Sequence, residues 1–415
     1  MDEQPSALAP FRHPDFTLYQ AARILLIMAG QFVILALQWQ ILHLTNDPLQ
    51  LGMIGLAQFL PNLIFSLPAG HVADRLNRRS IIMICALANA GAAGLLAREA
   101  MLPNPSLVVI YAICGVLGFI RAFSAPAGHA FLPALVPAAI LPTAIVLHLT
   151  VFQLSTVLGP AAGGFIYAAN HPERVYATAA GLFILAFLLF ALLRARPAPA
   201  PAAEPFARAF TAGVRYVWND RRLLGAMSLD LFAVLLGGAT ALLPLIAKST
   251  FSSGPHVLGI LRSAPSLGAG LMALALAIRP LRERIGAWLF GGVAVFGLAT
   301  IGFGLSTNFL LTVAFLVISG AADMLSVTVR HTLIQVATPD AMRGRVSAVS
   351  MVFINTSNEL GEFESGLTAR WFGSAARAIV FGGVGTVAVV LAWMGLFPSL
   401  RKADRFEEKP AQSPV

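Results

Sequence analysis

Charge is what this sequence has least of. Asp, Glu, Lys and Arg make up only 11% of its 415 residues, against 57% hydrophobic residues and a mean hydropathy of +0.78. So little charge cannot cover the surface of a water-soluble globule. Cysteine is scarce as well: Cys85 and Cys114 are the only two, and both fall inside apolar runs. There they are expected as small buried packing residues, which sets aside a disulfide scaffold or a thiolate metal site. No phosphate-binding loop of Walker type occurs, so direct ATP drive is not expected. His129, His148 and His331, within or beside apolar runs, show no metal-ligand spacing. Catalysis would need a convergent nucleophile, base or metal set, so neither an enzyme nor a cofactor is expected. The first sixteen residues are polar and carry no short apolar run ahead of a small-residue cleavage site, so the first hydrophobic segment is expected to stay as an anchor.

Long hydrophobic runs are what is present. Twelve recur, at 20–43, 50–70, 80–98, 106–132, 139–168, 175–194, 223–247, 256–278, 285–306, 309–331, 344–369 and 375–398. A membrane helix needs roughly 20 apolar residues, and in lipid a helix satisfies its own backbone. The expected fold is therefore an all-α polytopic membrane protein with two six-helix bundles, residues 1–195 and 223–400. Between them lies a linker, 196–222, and after them a tail, 401–415. The linker begins as a Pro/Ala spacer and continues with Phe206, Phe210, Val214 and Val217 at helical spacing among arginines. That pattern predicts an amphipathic helix on the inner membrane surface. With the N-terminus inside, the positive-inside rule assigns 20 Lys and Arg to inner loops, Arg330 among them, and five to outer loops. Both termini are then cytoplasmic, in a multi-pass protein of a bacterial inner membrane. The net charge of +9 reflects this topology and an anionic inner leaflet rather than nucleic-acid binding.

The halves repeat. With an offset of 204, Gly55, Pro61, Arg75 and Arg78 fall on Gly259, Pro265, Arg279 and Arg282. With an offset of 202, His129, Pro137, Ser155, Gly159 and Gly164 fall on His331, Pro339, Ser357, Gly361 and Gly366. Repeated halves about a central site are the pattern of secondary transporters.

The loop GHVADRLNRRS after the second span closely resembles the signature loop of the major facilitator superfamily, through Gly70, Asp74, Arg75, Arg78 and Arg79. Asn77 replaces a usual Gly, and the second-half copy, IRPLRERIG, has Ile278 in place of the Asp. The resemblance implies a conformational latch in which Asp74 caps a helix and pairs with an arginine; the alternative is a plain positive-inside anchor. In the fifth span Gly159, Pro160, Gly163 and Gly164 resemble the antiporter-branch pattern, and ordinary small-residue packing explains the glycines equally well. The segments LDLFAVLLGGATALLPLIAKSTF, GPHVLGILRSAPSLGAG, VRHTLIQVATPDAMRGRVSAV and NELGEFESG look like the enterobactin-exporter-like branch of siderophore and drug exporters. The likeness covers about residues 12–400.

Ionisable groups inside spans are costly and are the remaining candidates. Arg23, Gln31 and Gln38 form one stripe in the first span, and Asn355, Asn358, Glu359 and Glu362 form another in the eleventh. The two suggest a central cavity, although Glu359 and Glu362 could instead cap an outer helix end. Arg121 and Asp323 are equivalent under the offset of 202, and Asp230 is a further buried acid. Asp230 or Asp323 either couples transport to protons or pairs structurally with Arg121 or Arg262. The expectation is a monomeric, proton-coupled exporter of a small amphipathic compound; uptake, lipid-like solutes, or a membrane receptor or enzyme are the alternatives.

Overall fold

The computed structural model describes residues 9–75, 77–129, 131–167, 171–194 and 206–406, and among them there are helices and short 3-10 turns but no strand. In chain order the helices are α1 (Pro14–Thr45), α2 (Pro48–Arg75), α3 (Arg78–Met101), α4 (Leu107–His129), α5 (Leu141–Tyr167), α6 (Pro172–Leu192), α7 (Phe206–Asn219) and α8 (Arg221–Gly237). They continue as α9 (Leu243–Ser249), α10 (Pro255–Ile278), α11 (Ile285–Leu305), α12 (Phe309–Ala337), α13 (Asp340–Phe372), α14 (Ala375–Leu396) and the single turn α15 (Pro398–Arg401). Eleven stretches of the described chain are long and apolar enough to cross a membrane. The twelfth expected span is α13, which at 33 residues has ample length. Asn355, Asn358, Glu359, Glu362 and Glu364 make it too polar to be recognised by hydropathy.

The run 223–247, expected as one helix, is broken. Helix α8 stops at Gly237, Gly238 leaves helical geometry, and a 3-10 turn over Ala239–Leu242 leads into α9, with Pro244 in its first turn. Adjacent glycines give the backbone the freedom to leave the helix, and a proline fits a helix start because no donor is needed there.

The chain forms two compact units. The first comprises Met1–His43, Ala57–Ala203 and Gly254–Ser263; the second comprises Leu44–Leu56, Glu204–Ser253 and Ala264–Val415. These boundaries differ from a simple cut at the linker, because the first turns of α2 belong with the second unit and those of α10 with the first. In the first unit α3 packs on α4 and α6, and Tyr19 stacks on Phe131 and meets the edge of Phe190. In the second unit α8 packs on α13 and α14, while α11 packs on α12 and α14.

Helix α7 corrects the expectation of a helix lying on lipid. Its Val217 is buried in the core of the second unit, and Phe210, Val214 and Tyr216 pack against that core. At Gly213 an added Cβ would come within 2.6 Å of the Arg345 carbonyl of α13. The apolar face is thus covered by protein, while Trp218 is exposed. Amphipathicity predicts that one face will be buried; it does not specify what buries it.

Candidate functional site

The repeat survives in the packing. In the first unit a Cβ at Gly159 would meet the Gln31 side chain of α1, and one at Gly164 would meet Pro255 and Gly259 at the start of α10. In the second unit a Cβ at Gly361 would meet Val234 and Leu235 of α8, and one at Gly366 would meet Pro48 and Gly52 at the start of α2. Both incoming helices present Pro-x-x-x-Gly, over 48–52 and 255–259, so at the helix starts the equivalence runs through Gly52 and Gly259. Glycine is required at both crossings because the neighbouring atoms are backbone, 2.6 Å away at Gly164 and 2.8 Å at Gly366, and backbone cannot rotate aside. Gly163 lies against Phe32, and Pro160 sits within a continuous α5. The motif of the fifth span is therefore a two-sided packing face.

The polar stripe of α1 packs against α4, α5 and α10. Gln38 is fully buried and accepts a hydrogen bond from Arg262 of α10. Gln31 lies under Gly159, and a Cβ on Gly128 would come within 3.4 Å of Arg23. The hydroxyl of Tyr19 donates to the Gly128 carbonyl, and buried Gln20 bonds the His148 ring at 3.0 Å. This Tyr19, Gln20 and His148 cluster is not evident in the sequence, because its members lie on two spans with no shared motif. Arg121 sits on an exposed face of α4.

In the second unit the buried charge is organised around an ion pair that the sequence analysis misassigned. Asp230 of α8 pairs with Arg330 of α12, and both are almost wholly buried. Its partner is neither Arg121 nor Arg262, and Arg330 belongs to a span rather than an inner loop. Its position near the end of an apolar run suggested the loop; α12 in fact continues to Ala337.

Asp323, two turns before Arg330 on α12, lies within electrostatic reach of both partners. It lines a cavity of about 170 Å³ together with Gly237, Gly238, Phe296, Phe303 and Asn358. Of the α13 stripe, only Asn358 reaches this cavity. Glu362 lies instead at the crossing with α2, where its Oε2 would be 3.0 Å from a Cβ on Gly55. Glu359 is buried in α13, and Asn355 is half-buried one turn before it. The acids expected to act as one set therefore occupy two places.

The signature loop is only partly described. The side chains of Asp74 and Arg75 and the surroundings of Gly70 lie outside the described residues, as does the spacer 195–205. Arg78 opens α3, and Asn77 caps it by accepting from the Arg79 N–H. The Arg79 guanidinium donates to the carbonyls of Phe190 and Ala191. It therefore caps the negative end of α6. Cys85 and Cys114 are buried and free.

The comparisons agree with this architecture. The transmembrane secretion effector family matches residues 5–414. Among curated relatives, the enterobactin exporter EntS of Citrobacter koseri is 29% identical over 416 residues, covering 96% of this chain and 94% of the relative. EntS of Escherichia coli O6:K15:H31 is 28% identical over 418 residues, with 96% and 95% covered. Among solved structures, a bacterial homologue of the human lysosomal transporter Spinster aligns with a TM-score of 0.73 at 15% identity, covering 94% of this chain and 96% of that one. A D-xylose-proton symporter aligns with a TM-score of 0.71 at 14% identity, covering 95% and 99%. End-to-end family coverage, eleven apolar spans and the fold itself converge: the chain belongs to the transmembrane secretion effector family of the major facilitator superfamily and is a membrane transporter, not an enzyme.

Proposed function

We propose that this transporter exports a small amphipathic organic compound from the cytoplasm across a bacterial inner membrane, by alternating access and in exchange for protons. The observation that carries export is the near-complete coverage of this chain and of relatives named enterobactin exporters. In this proposal both termini are cytoplasmic and the monomer is the working unit. The coupling proton resides on a carboxylate among Asp323, Glu359 and Glu362, since Asp230 is tied to Arg330 and is better suited to holding α8 against α12. The loop from Gly70 to Arg79 serves as the latch through Asp74, with Arg79 anchoring it to α6. A cationic anchor alone would not need an acid at residue 74.

Inside-out vesicles carrying the protein, supplied with a panel of siderophores, drugs and related amphipaths, test the proposal. One or more compounds should accumulate when a pH gradient is imposed and cease to accumulate when it is collapsed. Accumulation only in right-side-out vesicles would mean uptake, and indifference to the gradient would remove the proton. Asp74→Asn should insert normally and lose most transport.

A further inference from the structure

The cavity in the second unit has a one-sided chemistry. Most of its wall is apolar, with Phe296 and Phe303 contributed by α11 and Leu316 by α12. Its polar groups are mainly acceptors. The Thr300 hydroxyl donates to the Phe296 carbonyl at 2.9 Å, and the Ser319 hydroxyl donates to the Leu316 carbonyl at 2.8 Å. Each therefore offers only lone pairs to the cavity. Asp323 adds a carboxylate, and Asn358 and Thr240 are the remaining polar residues. The broken helix contributes as well. Gly237 and Gly238 line the cavity where α8 ends, and Gly238 returns no capping hydrogen bond to the last turn. The last carbonyls of a helix lack internal partners and carry the negative end of its dipole. Among the described residues no lysine, arginine or histidine lines the space, and Arg330 nearby is paired with Asp230. The region thus carries one carboxylate beyond the charges that cancel.

Volume narrows the occupant. A cavity of about 150 Å³ holds a benzene ring, so about 170 Å³ admits one ring or a compact alkyl group with a small polar head. A bare metal cation would need a shell of six or more oxygens for calcium or near-octahedral oxygens for magnesium, which these apolar walls do not provide. An organic ammonium suits them, because its head meets a carboxylate and a helix C-terminus while its body meets aromatic rings, and ring faces attract cations.

We propose that this cavity is a subsite for the cationic head of an organic ammonium compound, with Asp323 as its anchor. The inference rests on the exporter reading and names a substrate class for it. Because one carboxylate holds either a proton or an ammonium ion, the subsite also gives exchange a simple physical basis.

The first test is binding to the whole protein purified in detergent. Benzylammonium chloride should raise the melting temperature at concentrations at least about tenfold below those needed with benzyl alcohol, as expected when a hydrogen bond becomes charged. Sodium benzoate and sodium chloride should have no such effect. Asp323→Asn should lose the difference between amine and alcohol, and Asp323→Glu should keep part of it. Protection by sodium chloride alone would assign the cavity to an inorganic cation and overturn the proposal; so would equal protection by alcohol and amine. Should Asp323→Asn fail to fold, the wild-type series of amine, alcohol and acid still decides. In vesicles Asp323→Asn should lose accumulation of cationic compounds, and undiminished accumulation of them would overturn the proposal. The two failures are distinguishable: a wild-type protein that exports nothing sinks the exporter reading, while the detergent experiment judges the cavity by itself.

Discussion

The two compact units differ in the sign of the charge inside their spans. The first holds Arg23, Arg121 and Arg262, and its buried acid among the described residues, Glu99, lies in the last turn of α3; the second holds Asp230, Asp323, Glu359, Glu362 and Glu364 against Arg330. They also differ in how charge is tolerated. Arg262 meets a neutral amide, whereas Asp230 and Arg330 neutralise each other. Removing a group from the first unit therefore removes a hydrogen bond, while removing a member of the pair in the second leaves a bare charge in a low-dielectric interior.

The largest expected effect follows from that contrast. Arg330→Leu or Asp230→Leu should each cost about 3–5 kcal/mol, seen as lost expression and a lowered melting temperature in detergent, and the double variant should recover most of the loss. Single variants as stable as the double one would erase the distinction between the units. Next come the matched helix crossings. Gly164→Ala and Gly366→Ala should each cost about 1–3 kcal/mol through overpacking, whereas Gly30→Ala, with open space around it, should be tolerated. An effect at only one crossing would break the structural repeat.

In the first unit, Arg262→Met should cost about 1.5–3 kcal/mol in thermal stability, the range for hydrogen bonding by a charged group. A loss as large as that at Arg330 would mean that Arg262 balances a charge as well. Smallest of all, Arg79→Ala should cost about 0.3–1 kcal/mol by uncapping α6, with transport falling only in step with that loss. A variant that keeps its melting temperature and loses transport would move Arg79 from the cap to the latch.

Much of the fold was legible because the bilayer dictates it: a helix that crosses lipid must be long and apolar, and eleven of the expected spans announce themselves in that way. The exceptions share a cause. Helix α13 is polar because it serves the protein interior: Asn358 lines the cavity, Glu362 meets α2 and Glu359 is buried. The break after α8 was visible only as two adjacent glycines, which also serve close packing. Arg330 was misplaced because counting basic residues by loop cannot detect a counter-ion one hundred positions earlier in the chain. The glycines of α5 were legible as a packing motif, but which helix each one meets depends on tertiary geometry. Gly159 and Gly164, five residues apart, meet α1 and α10 respectively. The cavity around Asp323 was least legible, since its walls come from five segments separated in sequence.

The Asp230–Arg330 pair also has a consequence for how the protein is made. An aspartate at the centre of a membrane helix carries a penalty of about 2.5–3.5 kcal/mol during insertion, and α8 must bear it before α12 has been synthesised. At about 5–20 residues per second, the hundred intervening residues keep that carboxylate waiting for roughly 5–20 s. During that interval the bundle depends on the other apolar residues of α8, or on local water, to retain the segment. Biogenesis of this transporter should therefore be sensitive to the speed of translation between α8 and α12.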